Sequence, residues 1–284
     1  PVADRPRELA VTRVEALTRD PYGVWARDIL KLYKMERPDE PVESRARGTA
    51  IHSAFEDFTR AHPRDLPPDA VRQFERLYMD ALVEAGMPED ALTREAALAR
   101  EAAQWVIETE TQRRADGRAL HVELKGAATI RTGRGDFTVT AKADRIEVDP
   151  QGFGHILDYK TGRAPSGKMV ATGFSPQLTL TAAILERGGF GDIGRAAAGD
   201  LTYIEVTGRK PAGRVIVRVA AGAEASAAGD RALEGLQALI EAFDDPDRGY
   251  ASRVAPQFVK LYAGDHDHLA RVLEWSTSGE EEGE

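Results

Sequence analysis

Apolar positions recur at helical spacing in the first 120 residues, and after them stretches with strand spacing alternate with stretches with helical spacing. In residues 44–61, Ile51, Phe55 and Phe58 form one apolar stripe, which predicts a helix. In residues 137–148, apolar side chains alternate with polar ones, which predicts a half-buried strand. The same patterns predict further helices over 12–32 (in two pieces), 67–86, 88–116 and 223–244, a helix opening at 177, and strands over 120–130, 154–162, 201–207 and 214–219.

This order of elements predicts an α/β fold, a small mixed sheet flanked by helices, with a helical N-terminal part. We expect one domain over 1–275, divided into a mostly helical part (1–118), a sheet core (119–245) and a C-terminal docking segment (246–275). Residues 276–284 are expected to be a disordered acidic tail, because four of the last five residues are glutamates.

Two carboxylates and a lysine are predicted to meet on neighbouring strands. Asp158 and Lys160 lie two residues apart, so on a strand their side chains point to the same side. A hairpin that turns near residue 151 brings Asp144 beside Asp158. Neighbouring carboxylates repel unless a cation lies between them, and an ammonium group stabilises developing negative charge. The pattern therefore suits metal-assisted hydrolysis, whereas an isolated Asp-x-Lys is usually a surface ion pair.

Four segments in this order resemble PD-(D/E)XK nucleases of the RecB type. Residues 143–146 (Ala-Asp-Arg-Ile) and 158–162 (Asp-Tyr-Lys-Thr-Gly) are similar to the two strand motifs of that family. Upstream, residues 48–56 resemble its helical Gly-x-x-x-His-x-x-x-Glu motif. Downstream, residues 177–181 fall where the family has Gln-x-x-x-Tyr, with Thr181 in place of the tyrosine.

The likeness is closest to the C-terminal nuclease domain of AddB-type subunits of bacterial AddAB helicase–nucleases, which residues 11–15 and 267–271 also resemble. It implies a restriction-endonuclease-like core and a Mg²⁺-dependent phosphodiesterase, with Mn²⁺ able to substitute. The implied metal ligands are His52, Asp144, Asp158 and the main-chain carbonyl of Tyr159. Lys160 would orient the attacking water or stabilise charge on the phosphate, and Gln177 would position a group nearby.

The implied substrate is single-stranded DNA, the 5′-terminated strand unwound from a broken duplex end during recombinational repair. The implied partner is an AddA-like helicase–nuclease subunit. An alternative is a catalytically silent nuclease-fold module that guides DNA or docks a partner. The substitution at Thr181 and the acidic charge balance keep this alternative open.

Several polar positions have two interpretations. His52 is either a metal ligand or a structural hydrogen-bonding group, and Glu56 on the same helix face is expected to be structural or to support the site. Glu123 is either an additional acid of the site or an exposed strand residue, which the pattern favours. The loop predicted over 163–175 either contacts the DNA backbone or is mobile. An arginine cluster near the end of the helix predicted over 88–116 comprises Arg113, Arg114 and Arg118. It either complements the helix dipole or contacts phosphate.

The amino-acid composition narrows the class of protein. The 284 residues are 42% apolar with 15 prolines, which is typical of a globular protein, and no apolar run is long enough to span a membrane. The first residue is Pro1, so we expect a piece of a longer protein. The lack of cysteine fits a reducing cytoplasm, and the resemblance implies association with the nucleoid through DNA.

The absence of cysteine excludes disulfides, zinc–thiolate sites and cysteine-ligated iron–sulfur clusters. Many AddB-type proteins tether this domain with such a cluster. Apolar packing must replace the cluster here, and the expected packing residues are Trp25, Phe258, Leu261 and Trp275. The net charge of −9 predicts weak DNA binding by the chain alone and delivery of DNA by a partner.

Overall fold

The computed structural model describes residues 1–34, 43–253, 264–272 and 274. Its α-helices are α1 (Val11–Arg19), α2 (Pro21–Val24), α3 (Glu43–Ala61), α4 (Ala70–Glu84), α5 (Glu89–Arg114), α6 (Gly167–Ala171), α7 (Gln177–Glu186) and α8 (Ala223–Asp244). Its strands are β1 (Glu8–Ala10), β2 (Ala119–Thr132), β3 (Gly135–Val148), β4 (Phe153–Lys160), β5 (Ala197–Val206) and β6 (Gly213–Val219). A 3-10 helix spans Val2–Asp4 and a π-helix spans Trp25–Ile29.

A six-stranded mixed sheet occupies the centre of the molecule. The strand order is β1-β3-β4-β5-β6, and β2 pairs with β3. The pairs β1–β3 and β4–β5 are parallel, and the other pairs are antiparallel. Helices cover both faces, so the predicted α/β fold with a helical N-terminal part is confirmed.

Each face of the sheet packs against its own helical layer. On one face, α1, α7 and α8 cover strand residues such as Phe137 and Val139. On the other, α3, α4 and α5 pack against Leu157 and Tyr159 of β4 and Ile204 of β5. Packing on both faces explains why most residues of β4 and β5 are buried.

The hairpins turn where turn residues predicted them. Between β3 and β4, the Asp149 carboxylate accepts hydrogen bonds from the amides of Gln151 (3.0 Å) and Phe153 (2.9 Å). Gly152 in this turn has φ +85°, a conformation that disfavours residues with a Cβ atom. The turn fixes the register that places Arg145 opposite Leu157, next to Asp144 and Asp158.

Residues 163–175, predicted as a loop, contain the short helix α6. The Ser166 hydroxyl accepts a hydrogen bond from the Met169 amide at 3.3 Å and caps this helix. Arg19 of α1 donates to the carbonyl of Phe174 at 3.0 Å. The end of this segment is therefore held against α1.

The docking segment predicted over 246–275 is described in part. His266 hydrogen-bonds to the carbonyl of Leu32 at 3.1 Å, and Arg253 forms an ion pair with Asp267. Trp25 is half-buried and its ring lies 5.3 Å from that of Tyr22. The other three expected packing residues and the predicted tail lie outside the described residues. Among the described helices, none is long and apolar enough to cross a bilayer.

Candidate active site

A gap in strand pairing along one edge of β3 creates the site. β2 occupies one edge along the whole length of β3. On the other edge, β1 covers residues 138–140 and β4 covers residues 145–148, so residues 141–144 lie between these two partners. Beyond Leu157, β4 continues beside β5 alone. Asp144 therefore lies where the two strands part, and its carboxylate accepts a hydrogen bond from the Tyr159 amide at 2.9 Å.

Asp158 lies in the diverging part of β4 and is almost fully buried, with 4% of its side chain exposed. The Lys160 ammonium contacts its Oδ2 atom, as the two-residue spacing predicted. The Gln177 side-chain amide, in the first turn of α7, donates to its Oδ1 atom at 2.5 Å. The structure thus brings together the acid, the lysine and the glutamine that the sequence singled out.

His52 lies on α3 and reaches the same place from the face of the sheet opposite to α7. Its Nε2 atom lies 3.1 Å from the Tyr159 carbonyl oxygen, and its Nδ1 atom lies 3.5 Å from Oδ2 of Asp144. Burial lowers the pKa of His52, but the hydrogen bond and charge of Asp144 outweigh burial and raise the pKa above its usual value. The imidazole therefore reaches both the main-chain oxygen and the carboxylate that were predicted to share a metal.

The regular alternation of β3 breaks at Asp144. Ala143 belongs to the core beneath α7 and α8, whereas Arg145, two residues on, contacts Glu110 of α5 on the other face. On β2, Glu123 lies between the partners of these two residues and has φ +55°. A left-handed conformation inside a strand is costly for a residue other than glycine. The distortion at Glu123 thus accompanies the reorientation of β3 that places Asp144 at the gap.

The expectation that Glu123 is exposed is wrong. Only 10% of its side chain is exposed, and its carboxylate forms an ion pair with Lys142. One ligand atom each of His52, Glu123 and Asp144 lie within 4.8 Å of one another. Glu123 therefore lies beside His52 and Asp144 in the candidate site.

The helix-dipole interpretation holds for Arg113 and Arg114, which lie in the last turn of α5. Arg113 and Arg118 donate to the Glu147 carboxylate, and Arg114 donates to Glu110 at 2.8 Å. At most 15% of each arginine side chain is exposed. These side chains stabilise two buried carboxylates and are not available to bind phosphate.

Glu56 and Thr181, which the sequence also singled out, each contact another residue of their own helix. Glu56 forms an ion pair with Arg60 one helical turn away, which agrees with a structural or supporting role. The Thr181 hydroxyl, which replaces the family tyrosine, is buried and donates to the Gln177 carbonyl at 2.7 Å. Thr181 therefore stabilises the first turn of α7 and does not face the open side of the site.

The charge distribution of the site fits a hard divalent cation. Burial, followed by the negative charge of Asp144, raises the pKa of Asp158 from its usual 3.8 to about 6. A bound cation would remove the unfavourable energy of these two adjacent carboxylates. Imidazole, carboxylate and carbonyl groups are donors that suit Mg²⁺ or Mn²⁺. The residues present could therefore hold such an ion.

Without a cation, the raised pKa of Asp158 is expected to make stability depend on pH. Between 3.8 and about 6 the folded protein retains a proton that the unfolded chain has released, so stability falls as pH rises through this window. A shift of about 2 units corresponds to about 3 kcal/mol. In EDTA, Asp158→Asn should abolish this dependence and exceed the parent in stability above pH 6.

Urea unfolding across this pH range measures the effect. Asp192→Asn, at an exposed turn position, is the control and should keep the parental pH profile. If Asp158→Asn also kept the parental profile, the carboxyl group of Asp158 would titrate normally.

Comparison with solved structures gives a distant match. The crystal structure of SSO0001 aligns with 81% of this chain and 75% of its own, at 13% identity and a TM-score of 0.34. At this level the match contributes nothing to the assignment.

Sequence comparison identifies relatives in Rickettsia. An uncharacterized protein from Rickettsia bellii is 27% identical over 186 residues, and one from Rickettsia felis is 29% identical over 198 residues. Both alignments cover 65% of this chain but 22% of the relative, so the chain spans about a fifth of their length. The family model of the PD-(D/E)XK nuclease superfamily matches residues 8–254, from β1 to beyond α8. The site described above lies within this match, and the chain belongs to the PD-(D/E)XK nuclease superfamily.

Proposed function

We propose that this chain is the metal-dependent nuclease domain of an AddB-like protein and that it hydrolyses phosphodiester bonds in single-stranded DNA. The observation that carries the proposal is the convergence of Asp144, Asp158 and Lys160 where β3 and β4 part. His52 and Gln177 reach the same place from two different helices. A surface ion pair would not require burial of Asp158 next to a second carboxylate.

Each residue of the site would have a separate role in catalysis. His52, Asp144, Asp158 and the Tyr159 carbonyl would hold Mg²⁺ or Mn²⁺, with Glu123 beside them. The bound ion would supply Lewis-acid stabilisation of a phosphate oxygen. Lys160 presents its ammonium group beside Asp158, where it can orient a water molecule or stabilise charge on the phosphate. Gln177 fixes the orientation of the Asp158 carboxylate.

The choice of substrate rests on the resemblance of the motif series to AddB-type nuclease domains. By that likeness, the substrate is the 5′-terminated strand at a broken duplex end, delivered by an AddA-like subunit during recombinational repair in the cytoplasm. The net charge of −9 supports delivery by a partner, because autonomous DNA binding depends mainly on phosphate neutralisation.

The chain is expected to cut end-labelled single-stranded DNA in Mg²⁺ and to lose this activity in EDTA. Gel electrophoresis of the labelled single strand, and of a duplex of the same sequence, measures cleavage in Mg²⁺ and its loss in EDTA. Mn²⁺ added after EDTA should restore cleavage. If neither the chain nor its assembly with a partner subunit cut DNA in either ion, a non-cleaving guide or docking module would be the better description.

A further inference from the structure

A polar surface extends from the site along one side of the β2–β3 hairpin. We call it the ribbon face, and its residues are Lys125, Ala127, Thr129, Thr138, Thr140 and Lys142. The three β2 positions are exposed, and so is Lys142, with 57% of its side chain accessible. Side chains that alternate with these, such as Phe137 and Val139, are buried beneath α7 and α8. The hairpin thus has one core side and one open side that reaches Asp144.

Two lysines lie directly opposite each other on the ribbon face. Lys125 and Lys142 are cross-strand partners, so their side chains project from the same side at close range. Like charges at such positions are destabilising. Lys142 is partly neutralised by Glu123, whereas Lys125 has no ion pair within residues 1–34, 43–253 and 264–272. An anion bound between the two ammonium groups would relieve this repulsion.

The position of this pair relates it to the proposed reaction. Lys142 is two residues from Asp144, which corresponds to about 7 Å along a strand. Beyond the lysines, Thr129, Thr138 and Thr140 offer hydroxyl groups, which commonly bind phosphate oxygens. From Asp144 to Thr138 the ribbon face is about 20 Å long. A line of donors of this length fits a linear polyanion better than a single phosphate group.

We propose that the ribbon face binds the phosphate backbone of the single strand that is cut, with Lys125 and Lys142 contacting phosphates next to the reacting one. This inference rests on the proposed nuclease function and specifies where its substrate lies. It requires a phosphodiester backbone and no particular base, because the ribbon face presents cations and hydroxyl groups. The chemistry is shared by single-stranded DNA and RNA.

Binding is measured by fluorescence anisotropy with labelled oligothymidylate and oligouridylate of about 16 nucleotides, the upper end of common single-strand site sizes. EDTA is present, so that no metal-dependent cleavage occurs. The test variants are Lys125→Ala and Lys125→Ala/Lys142→Ala. The matched control is Arg72→Ala/Arg76→Ala on the exposed side of α4, which changes the net charge by the same amount as the double lysine variant.

The double lysine variant is expected to bind both oligonucleotides about twofold to thirtyfold more weakly, the contribution of two exposed ion pairs. The dependence of log K on log salt should become shallower by about 1.4, because each phosphate contact on a single strand contributes about 0.7. Lys125→Ala alone should show about half of this change in slope. The arginine control should match the parent in slope.

Equal losses for the arginine control and the lysine variants would overturn the inference, because net charge alone would then govern binding. Unchanged slopes for the lysine variants would also overturn it. Cleavage by the parent in Mg²⁺ is scored separately. If the lysine variants lost binding while neither the parent nor its assembly with a partner subunit cut DNA, the ribbon face would stand and the nuclease proposal would fall. If the parent cut DNA but the lysine substitutions left binding unchanged, the nuclease proposal would stand and the ribbon-face inference would fall.

Discussion

Asp144→Ala and Asp158→Ala are each expected to reduce cleavage of single-stranded DNA by at least about a thousandfold and to abolish Mn²⁺ binding. Metal-ion catalysis contributes several kcal/mol to transition-state stabilisation, and each carboxylate lies where the cation must bind. Asp144 accepts from the Tyr159 amide and Asp158 is buried beside Lys160, so each substitution removes a negative charge from the place where the cation needs it.

Lys160→Ala is the matched variant that separates catalysis from metal binding. Lysine is not a ligand, so this variant should bind Mn²⁺ like the parent while cleavage falls by about a hundredfold to a thousandfold. Gln177→Ala removes the hydrogen bond that orients Asp158 and should lower activity or metal affinity by about ten to a hundredfold.

Calorimetric titration of Mn²⁺ into each variant tests the assignment. His52→Ala is expected to weaken binding less than either aspartate substitution, because imidazole contributes one ligand and no negative charge. Glu123→Gln is also expected to weaken binding, since its carboxylate lies within 4.8 Å of the ligand atoms of His52 and Asp144. Loss of the metal in Lys160→Ala together with its retention in Asp144→Ala would reverse the roles assigned to the lysine and the aspartate.

The elements that periodicity predicted well have long apolar stripes. The final helix was predicted over 223–244 and spans Ala223–Asp244, and the helix predicted over 44–61 spans Glu43–Ala61. Local patterns of this length dominate helix formation and are visible in one sequence. β1 was not predicted as a strand, because its three residues are too few to show alternation and become a strand only by pairing with residues 138–140 of β3.

The site was predictable to the extent that its residues lie on regular elements. The hairpin at residue 151 and the spacing of Asp158 and Lys160 brought three charged groups together correctly. Glu123 was misplaced because a period-two pattern assumes regular backbone, whereas its φ of +55° breaks the alternation. Nothing in a single sequence marks a glutamate for that conformation.

The buried charge network was missed for a different reason. Each arginine near the end of α5 was interpreted from its own neighbours in the sequence, but the carboxylate of Glu147 lies 34 residues from Arg113. Charged residues are usually at the surface, so burial of Arg145 and Glu147 contradicts the ordinary expectation. Only the tertiary structure shows that these charges neutralise one another.

Arg145→Met is expected to destabilise the fold by about 3–5 kcal/mol, the usual cost of removing one partner from a buried ion pair. The Arg145 side chain is fully buried and contacts Glu110 at 2.6 Å and Glu147 at 2.7 Å. The substitution leaves the negative charges of both glutamates less well compensated beneath the sheet. Chemical denaturation at neutral pH measures the change.

Arg131→Met on the exposed side of β2 is the matched control. Its guanidinium lies 3.5 Å from Asp136 with 87% of the side chain exposed, so stability should change by less than about 0.5 kcal/mol. A similarly small change in Arg145→Met would mean that the buried network contributes little to stability.

The same network is expected to affect the active site through Tyr159. Arg145 donates to the Tyr159 hydroxyl at 3.3 Å, and the Tyr159 ring stacks on Phe55 with ring centres 3.8 Å apart. These contacts hold the residue whose amide binds Asp144 and whose carbonyl faces His52. Tyr159→Phe keeps the stacking and removes one hydrogen bond, so it should cost about 1 kcal/mol. Tyr159→Phe should retain the parental Mn²⁺ affinity. Arg145→Met should weaken Mn²⁺ binding even under conditions where the variant is fully folded. The reason is that a displaced β4 would misplace Asp158 and the Tyr159 carbonyl together.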